Sequence, residues 1–412
     1  MQYGCIGEHL THSFSQEIHR QLSSYDYILR EVAPDDLDAF LTKRDFQGIN
    51  VTIPYKQAVM PYLSFISEQA RAIGAVNTVV NKDGKLYGYN TDFGGMCALI
   101  RHAGISLGGK KVLILGTGGT SNTAYAVATH LMAASIYKVS RSGRDGALTY
   151  DKALSDHTDA DIIINTTPRG MYSREEGMPI DPLKFPNLSG VIDAVYNPLR
   201  TPLVLRALSA GIPATGGLYM LIMQAVLAME IFTNTTCPPE KAEEVYRRLL
   251  TDKENIVLTG MPGSGKSTVG KQLAEKLSRP FIDTDEEIVR QAGTDIPTIF
   301  REQGEKAFRD LETAVIKKLS AQTGAVIATG GGAVLRPENV DYLKSSGRLF
   351  FLNRPVEQLV PTDDRPLADS IEAIKARFCE RFVTYLTTAD TAIAAGDTPD
   401  AVADAVQRSF FE

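Results

Sequence analysis

Asn255-Ile256-Val257-Leu258-Thr259-Gly260-Met261-Pro262-Gly263-Ser264-Gly265-Lys266-Ser267-Thr268 decides the fold of the last third of this 412-residue chain. A run that reads as a buried strand passes into a glycine turn with the spacing G-x4-G-K-[ST], and the turn opens a helix. That context gives the loop its meaning. Backbone amides at a helix start wrap phosphates, Lys266 reaches the outer phosphates, and the Ser267 hydroxyl suits magnesium. Gly263, Ser264, Gly265, Lys266, Ser267 and Thr268 are the expected ligands of a nucleoside triphosphate. Strand and helix alternate from there onward, which predicts a parallel α/β domain over 255–412.

Working outward, a second glycine turn lies far upstream, at Gly116-Thr117-Gly118-Gly119-Thr120. It joins an apolar strand at 110–115 to a helix at 121–128, and apolar strands follow at 134–140, 160–165 and 190–194. This pattern predicts an open parallel sheet of Rossmann type, whose glycines let the backbone approach a pyrophosphate. Ser121 stands where a third glycine or alanine is usual. At the end of the next strand, an acidic residue would read the ribose of NAD; this chain has Ser140-Arg141-Ser142. A cation flanked by hydroxyls favours NADP, and a solvated strand-end arginine is the alternative that spacing leaves open.

Residues 1–100 have their own alternation of strands and helices and read as a separate α/β lobe, with 101–250 as the dinucleotide lobe. The boundary to the third domain reads as an apolar helix at 225–232, a loop at 233–239, a charged helix at 240–250 and a linker at 251–254. The first lobe gathers polar residues at strand ends and turns: His12-Ser13-Phe14-Ser15, Asn50-Val51-Thr52-Ile53-Pro54-Tyr55-Lys56, Asn77-Thr78 and Asn90-Thr91-Asp92. Small hydroxyls and amides match a ligand rich in hydroxyl groups, because an unmatched polar atom in a closed pocket is costly. Lys56 and Asp92 read either as a proton-transfer pair or as a salt bridge.

In the tail, Asp283 and Asp285 lie two apart after a short strand, so that one can assist magnesium and the other an acceptor hydroxyl; a helix-capping role is the alternative. Arg309 on a helix and the bare turn at Gly331 and Gly332 suit a small anion, or are a surface cation and an ordinary turn. A net charge of -6 and a pI near 5.7 oppose a nucleic-acid surface. The cysteines form no CxxC pair, no basic stretch followed by an apolar run opens the sequence, and no run of about 18 apolar residues occurs, so reduced thiols, no membrane partner and a cytoplasmic location are expected. No repeat relates the two halves, so duplication does not explain two loops. Oligomeric state is not legible.

Taken together, the motifs over 1 to about 250 resemble those of shikimate dehydrogenase. They are His-Ser-x-Ser at 12–15, Gly-Ile-Asn-Val-Thr-Ile-Pro-Tyr-Lys at 48–56, Ile-Gly-Ala-Val-Asn-Thr at 73–78 and Gly-Tyr-Asn-Thr-Asp at 88–92. Asn-Thr-Thr-Pro-Arg-Gly-Met at 165–171, Asp-Ala-Val-Tyr-Asn-Pro at 193–198 with Thr201, and Gly-Gly-Leu-Tyr-Met-Leu-Ile-Met-Gln at 216–224 continue the series. The resemblance implies that Ser13 and Ser15 hold the substrate carboxylate and that Asn50, Thr52, Asn77, Asp92 and Gln224 hold ring hydroxyls, with Tyr196 also at the substrate. It also implies that Lys56 and Asp92 form the catalytic pair. The dinucleotide would meet Gly116, Gly118, Gly119, Thr120 and Thr166, with Met171, Gly217 and Met220 along the nicotinamide and Ser140, Arg141 and Ser142 at the far phosphate. Gln16 stands where proline is usual and Arg20 where asparagine is frequent, which leaves shikimate and quinate undistinguished.

The tail, over roughly 255–410, resembles shikimate kinase, a P-loop fold of the nucleoside-monophosphate-kinase type. The resemblance implies Asp285, Arg309 and Arg381 on shikimate, Gly331 and Gly332 at its ring, and Asp283 acting through magnesium. Arg365, in Asp-Asp-Arg-Pro-Leu at 363–367, matches the lid arginine that neutralises the transferring phosphate. The stretch 359–365 is shorter than the family pattern and lacks its first arginine. The two resemblances imply successive reactions: 3-dehydroshikimate reduced with NADPH, then shikimate phosphorylated with ATP and magnesium. The alternatives are quinate oxidation joined to another small-hydroxyl kinase, or a ligand-sensing pseudoenzyme; the retained Lys56, Asp92, Lys266, Ser267 and Asp285 oppose the latter.

Overall fold

The structure is a computed structural model that describes residues 2–10, 14–172, 177–359 and 371–412. The chain forms two compact units, Met1–Leu249 and Leu250–Glu412. The first unit holds two sheets. One has the strand order Tyr27–Glu31, Tyr3–Gly7, Gly48–Val51, Thr78–Lys82, Lys85–Tyr89, Phe65–Ile66. Its first three strands are parallel, and Thr78–Lys82 runs antiparallel to both of its neighbours. Asp83 and Gly84, both at positive φ, form the two-residue hairpin turn, a conformation that suits this pair because glycine and aspartate tolerate it. Ile6, Ile49, Val51 and Val79 bury the inner face.

The other sheet is parallel throughout, in the order Ala214–Thr215, Gly190–Asp193, Ile162–Asn165, Lys111–Leu115, Ser135–Val139. Its central strands are buried on both faces, which explains why they read as continuous Ile, Leu and Val runs instead of alternating. Lys111–Leu115 lies where the chain has crossed to either side, so the crevice at its carboxyl end is the place the topology offers a ligand. The sheets are joined through helix Thr91–His102, packed on helix Leu218–Thr233. Gly95 permits this: a Cβ there would sit 2.7 Å from the Met220 carbonyl oxygen. Helix Leu218–Thr233 continues to the first sheet, where Phe232 stacks on Tyr3 at 5.2 Å.

The second unit is one parallel sheet in the order Phe281–Asp283, Val326–Ala328, Asn255–Thr259, Gly347–Asn353, Thr391–Ala394. Alternate residues fill two cores: Val257, Ile327, Leu349 and Phe351 on one side, Ile256, Val326, Phe350 and Leu352 on the other. One expectation needs correction. Residues 251–254 are not an open linker, because helix Pro239–Lys253 takes in the first three of them. No glycine or proline interrupts this stretch, and buried Glu254 is anchored by Arg348 at 2.7 Å. Among the described residues, no helix is long and apolar enough to cross a membrane.

Candidate active sites

In the first unit, Lys56 Nζ lies 2.6 Å from Asp92 Oδ2, and both side chains are mostly covered. Asp92 occupies the first turn of helix Thr91–His102, where the helix dipole favours a negative charge. Asn90 caps that helix by accepting from the Phe93 amide, and its own amide donates to the Ala75 carbonyl at 2.9 Å. Asn77 accepts from the Thr91 amide at 2.7 Å and donates to the Thr91 hydroxyl at 3.0 Å. The strand end that carries Asn77 and the helix start that carries Asp92 are therefore locked together. Gln224, from helix Leu218–Thr233, reaches the same point: Thr91 Oγ1 lies 3.5 Å from Gln224 Oε1.

Asn50 is placed differently from Asn77. Its side-chain oxygen accepts from the Tyr27 hydroxyl at 2.7 Å, and its nitrogen donates to Thr78 Oγ1 at 3.1 Å, all in buried surroundings. Tyr27 is in turn stacked on buried His19 at 3.8 Å. Burial pushes the His19 imidazole down to about 3, so the ring is neutral and packs like an aromatic. Thr52 and Ser15 are half-buried, and Phe14 packs on Tyr196 at 5.4 Å. Ser13 lies outside the described residues.

A cavity of about 730 Å³ runs from Lys56 to the glycine turn, with Gly116, Gly118, Gly119, Thr120 and Thr166 in its wall. Ser140 and Arg141 line its far end, whereas Ser142, Met171, Gly217 and Met220 are not part of this wall. Gly116 has φ 114, and a Cβ there would meet Thr166 Oγ1 at 2.6 Å. Built Cβ atoms on Gly118 and Gly119 meet nothing, so the turn's surface is open for a diphosphate at the start of helix Gly119–His130. Gly217 is constrained instead by the backbone of Ala194, which a Cβ would strike.

Sequence reasoning quoted Asn165, Asp193 and Thr201 without giving them a role. The structure makes them the support of the cavity wall. Buried Asp193 accepts from Asn165 at 2.9 Å, from the Val195 amide at 3.0 Å and from Thr201 at 2.7 Å. Asn165 then fixes Thr167 through both its amide and its hydroxyl. Burial raises the Asp193 carboxyl to about 7, against the three donors.

In the second unit, Gly260, Gly263 and Gly265 all take positive φ. Lys266 is only 7% exposed, and its ammonium donates to the carbonyls of Gly260 at 3.0 Å and Met261 at 2.9 Å. Ser264 Oγ is buried in the same turn without a hydrogen-bond partner among the described residues. A buried cation and an unmatched hydroxyl at a helix start fit a phosphate chain. Ser267 donates to Asp283 Oδ2 at 2.6 Å, while Asp283 Oδ1 accepts from the Asp285 amide. The strand stops at Asp283, so Asp283 is both the helix cap and the partner of Ser267, and Asp285 lies on helix Thr284–Ala292. That hydroxyl-carboxylate set fits a magnesium ion that keeps most of its ligands from water and phosphate.

A cavity of about 580 Å³ joins the turn to Asp285, Arg309 and Arg381. Glu312, which sequence reasoning quoted but did not assign, is fully buried there and holds Arg309 at 2.7 Å. Burial raises its carboxyl despite the guanidinium. A Cβ on Gly330 would lie 2.7 Å from Asp285 Oδ1 and 2.9 Å from Glu312 Oε1, and one on Gly332 would strike the Arg309 guanidinium. The glycine run is thus what lets these side chains converge. Arg381 and the Tyr385 hydroxyl both donate to the Gly331 carbonyl. Arg381 and Tyr385 lie four positions apart on helix Ile371–Thr388, which puts both on one face. Arg365 lies outside the described residues.

Comparison with known proteins gives matches for both parts. The family described as shikimate dehydrogenase substrate binding domain matches residues 5–79, and the shikimate kinase family matches residues 262–410. A shikimate dehydrogenase (NADP(+)) of Clostridium beijerinckii is 38% identical over 262 residues, covering 59% of this chain and 96% of the relative. The crystal structure of shikimate dehydrogenase 1 from Peptoclostridium difficile is similar with a TM-score of 0.56 at 35% identity, covering 60% of this chain and 98% of that one. A shikimate 5-dehydrogenase from Thermus thermophilus, solved with NADP(H) and shikimate, has a TM-score of 0.54 at 28% identity over 60% of this chain and 99% of its own.

Proposed function

Because the chain belongs to the shikimate dehydrogenase family and carries a shikimate kinase domain at residues 262–410, we propose that one polypeptide catalyses two successive steps of aromatic biosynthesis. The first reduces 3-dehydroshikimate to shikimate with NADPH. The second transfers a phosphoryl group from ATP, with magnesium, to the 3-hydroxyl of shikimate. The observation that carries this reading is that each unit has a cavity joining a phosphate-binding turn to a proton-handling group, Lys56 in one and Asp285 in the other.

In the first site, the reduced nicotinamide supplies hydride to the ketone carbon when bound. Lys56, as an ammonium, gives its proton to the carbonyl oxygen that becomes the alcohol, and Asp92 holds the ammonium in line. Ser13 and Ser15 take the carboxylate, and Thr52, Asn77, Asp92 and Gln224 take ring hydroxyls, with Tyr196 at the substrate's edge. The amide of Asn50 is engaged by Tyr27 and Thr78, so its part is to fix the strand end beside Asn77. Ser140, Arg141 and Ser142 meet the ribose phosphate that separates NADP from NAD, and Met171, Gly217 and Met220 flank the nicotinamide.

In the second site, magnesium supplies charge neutralisation on the phosphates when bound, and Ser267 and Asp283 are the residues that would hold it. Lys266, held in the turn by two carbonyls, is the cation that meets charge on the transferring phosphoryl. Arg309 and Arg381 hold the carboxylate of shikimate, Gly331 and Gly332 leave room for its ring, and Asp285 orients the attacking hydroxyl and takes its proton. Arg365 is assigned the neutralisation of charge on the phosphoryl group. The reading assigns the enzyme to the cytoplasm, which its four unpaired cysteines suit.

The test supplies the purified chain with 3-dehydroshikimate, NADPH, ATP and magnesium, and follows NADPH absorbance and shikimate 3-phosphate by phosphorus NMR. Oxidation of NADPH followed by accumulation of the phosphate ester is expected. No NADPH consumption, or shikimate that accumulates without being phosphorylated, would overturn the corresponding half.

A further inference from the structure

We propose that Arg354 is a nucleotide-phosphate ligand built into the sheet of the kinase unit, an inference that rests on the kinase reading above and adds a residue to its site. Strands Asn255–Thr259 and Gly347–Asn353 are parallel neighbours with Thr259 opposite Phe351. Both chains therefore leave the sheet at the same end. The phosphate-binding turn begins at Gly260, and Arg354 follows directly after the partner strand. The two segments touch: a Cβ on Gly260 would lie 2.9 Å from the Leu352 carbonyl oxygen, and one on Gly265 would lie 3.7 Å from Arg354 Nη1. Gly265 caps helix Lys266–Leu277, so the guanidinium stands beside the amides that open that helix.

Three other cations of the cavity are already engaged. Arg309 is held by Glu312, Arg381 by the Gly331 carbonyl, and Lys266 by the carbonyls of Gly260 and Met261. Asp283 is bonded by the Ser267 hydroxyl and the Asp285 amide. Arg354 is different. Its side chain is half-buried, lines the cavity, and has no hydrogen-bond or ion-pair partner among the described residues; its Nε is buried and unmatched. Arg377 shares this condition, but it sits on helix Ile371–Thr388, which carries Arg381, and not at the turn.

A half-buried guanidinium with no ion-pair partner among the described residues, in a cavity that also holds the buried Lys266, is unfavourable unless an anion completes it. At this location the anion is the phosphate chain of a nucleoside di- or triphosphate. A planar fork on the strand end and the amides of the turn would grip the same phosphates from two sides. Arg354 thereby supplies a phosphate-directed positive charge from the rigid edge of the sheet.

The experiment measures binding of ADP with magnesium to the full chain by calorimetry, for wild type, Arg354→Met, Arg354→Lys and Arg377→Met. Arg354→Met is expected to weaken ADP binding about ten- to a hundredfold, the worth of a charged hydrogen bond, and to raise the KM for ATP with the KM for shikimate unchanged. Arg354→Lys, which keeps the charge and loses the fork, should fall between. The loss should grow from AMP to ADP to ATP. Unchanged ADP affinity in Arg354→Met, an equal loss for AMP and ATP, or an equal loss in Arg377→Met would overturn the assignment. Should Arg354→Met lower the unfolding temperature of the kinase unit, Arg354→Lys decides, because wild-type affinity there leaves no role for a guanidinium. A wild-type chain that binds no ADP would instead sink the kinase reading itself.

Discussion

The two glycine turns solve related problems with different means. In the first unit, only Gly116 of the turn has a positive φ, Gly118 and Gly119 face open space, and Arg141 in the cavity wall is exposed. In the second, three glycines have positive φ and a lysine is buried in the turn, gripped by two carbonyls. A diphosphate that is only held needs amides and a helix start. A phosphoryl group that is transferred needs a cation fixed before the charge develops. On the proposed function, the chemistry of the first unit lies away from its turn, at Lys56, whereas that of the second begins inside it.

Reciprocal substitutions are the sharpest way to break this comparison. Lys266→Ala should lower phosphoryl transfer by about 10³-fold, the scale of losing a preorganised charge donor, and leave NADPH oxidation unchanged. Lys56→Ala should lower reduction of 3-dehydroshikimate by about 10²–10³-fold, the scale of a general acid, and leave shikimate phosphorylation unchanged. Both follow from steady-state rates with each substrate supplied separately. Loss of both activities in either variant would show that the units do not work independently.

How much of this the sequence carried differs between the units for the same physical reason. Local signals sufficed for the turns, because a strand, a glycine run and a helix are consecutive in the chain, and Lys266 and Ser267 sit inside the signal. The Lys56–Asp92 contact spans 36 positions, and residue type left it open as a proton-transfer pair or a salt bridge until the family motifs were taken together. Residues that act behind the site were not legible. Asp193 and Asn165 come from adjacent strands paired in register, and nothing in their local sequence reveals that both are buried. Glu312 is a helical acid like many surface ones until Gly330 lets it meet Arg309 and Asp285. The linker expected at 251–254 failed because polarity was read as exposure, although Glu254 is buried against Arg348.

Asp193 provides a second way to sharpen the contrast, since the wall of the dinucleotide cavity rests on a buried carboxyl where the other turn encloses a lysine. Its pKa is raised to about 7 in the fold, from 3.8. Between those values, the unfolded chain loses the proton and the fold retains it, so this group's stability is fully present below about pH 4 and is lost as pH rises to about 7. The total is at most about 4 kcal/mol, from roughly 1.4 kcal/mol per unit. Asp193→Asn cannot ionise, so its stability relative to wild type should improve steadily from pH 4 to pH 7 and level off above. Urea midpoints followed through dehydrogenase activity measure this. A difference that stays flat with pH would mean that the three donors keep the carboxylate ionised throughout.

The smallest effect expected is at Arg141, and it tests whether the first turn needs any cation. An exposed guanidinium flanked by Ser140 and Ser142 should act only on the ribose phosphate, because the pyrophosphate is left to the amides of the turn. Arg141→Ala should therefore raise the KM for NADPH by about tenfold, as for one charge-assisted contact, while the KM for NADH does not move. Because the charge is open to solvent, the wild-type preference should also shrink in high salt, and that of the variant should not. Equal loss for both cofactors would mean that Arg141 supports the turn itself, and the two turns would then differ less than their geometry suggests. No change for either would make it a solvated strand end and leave the choice of NADP to the serines.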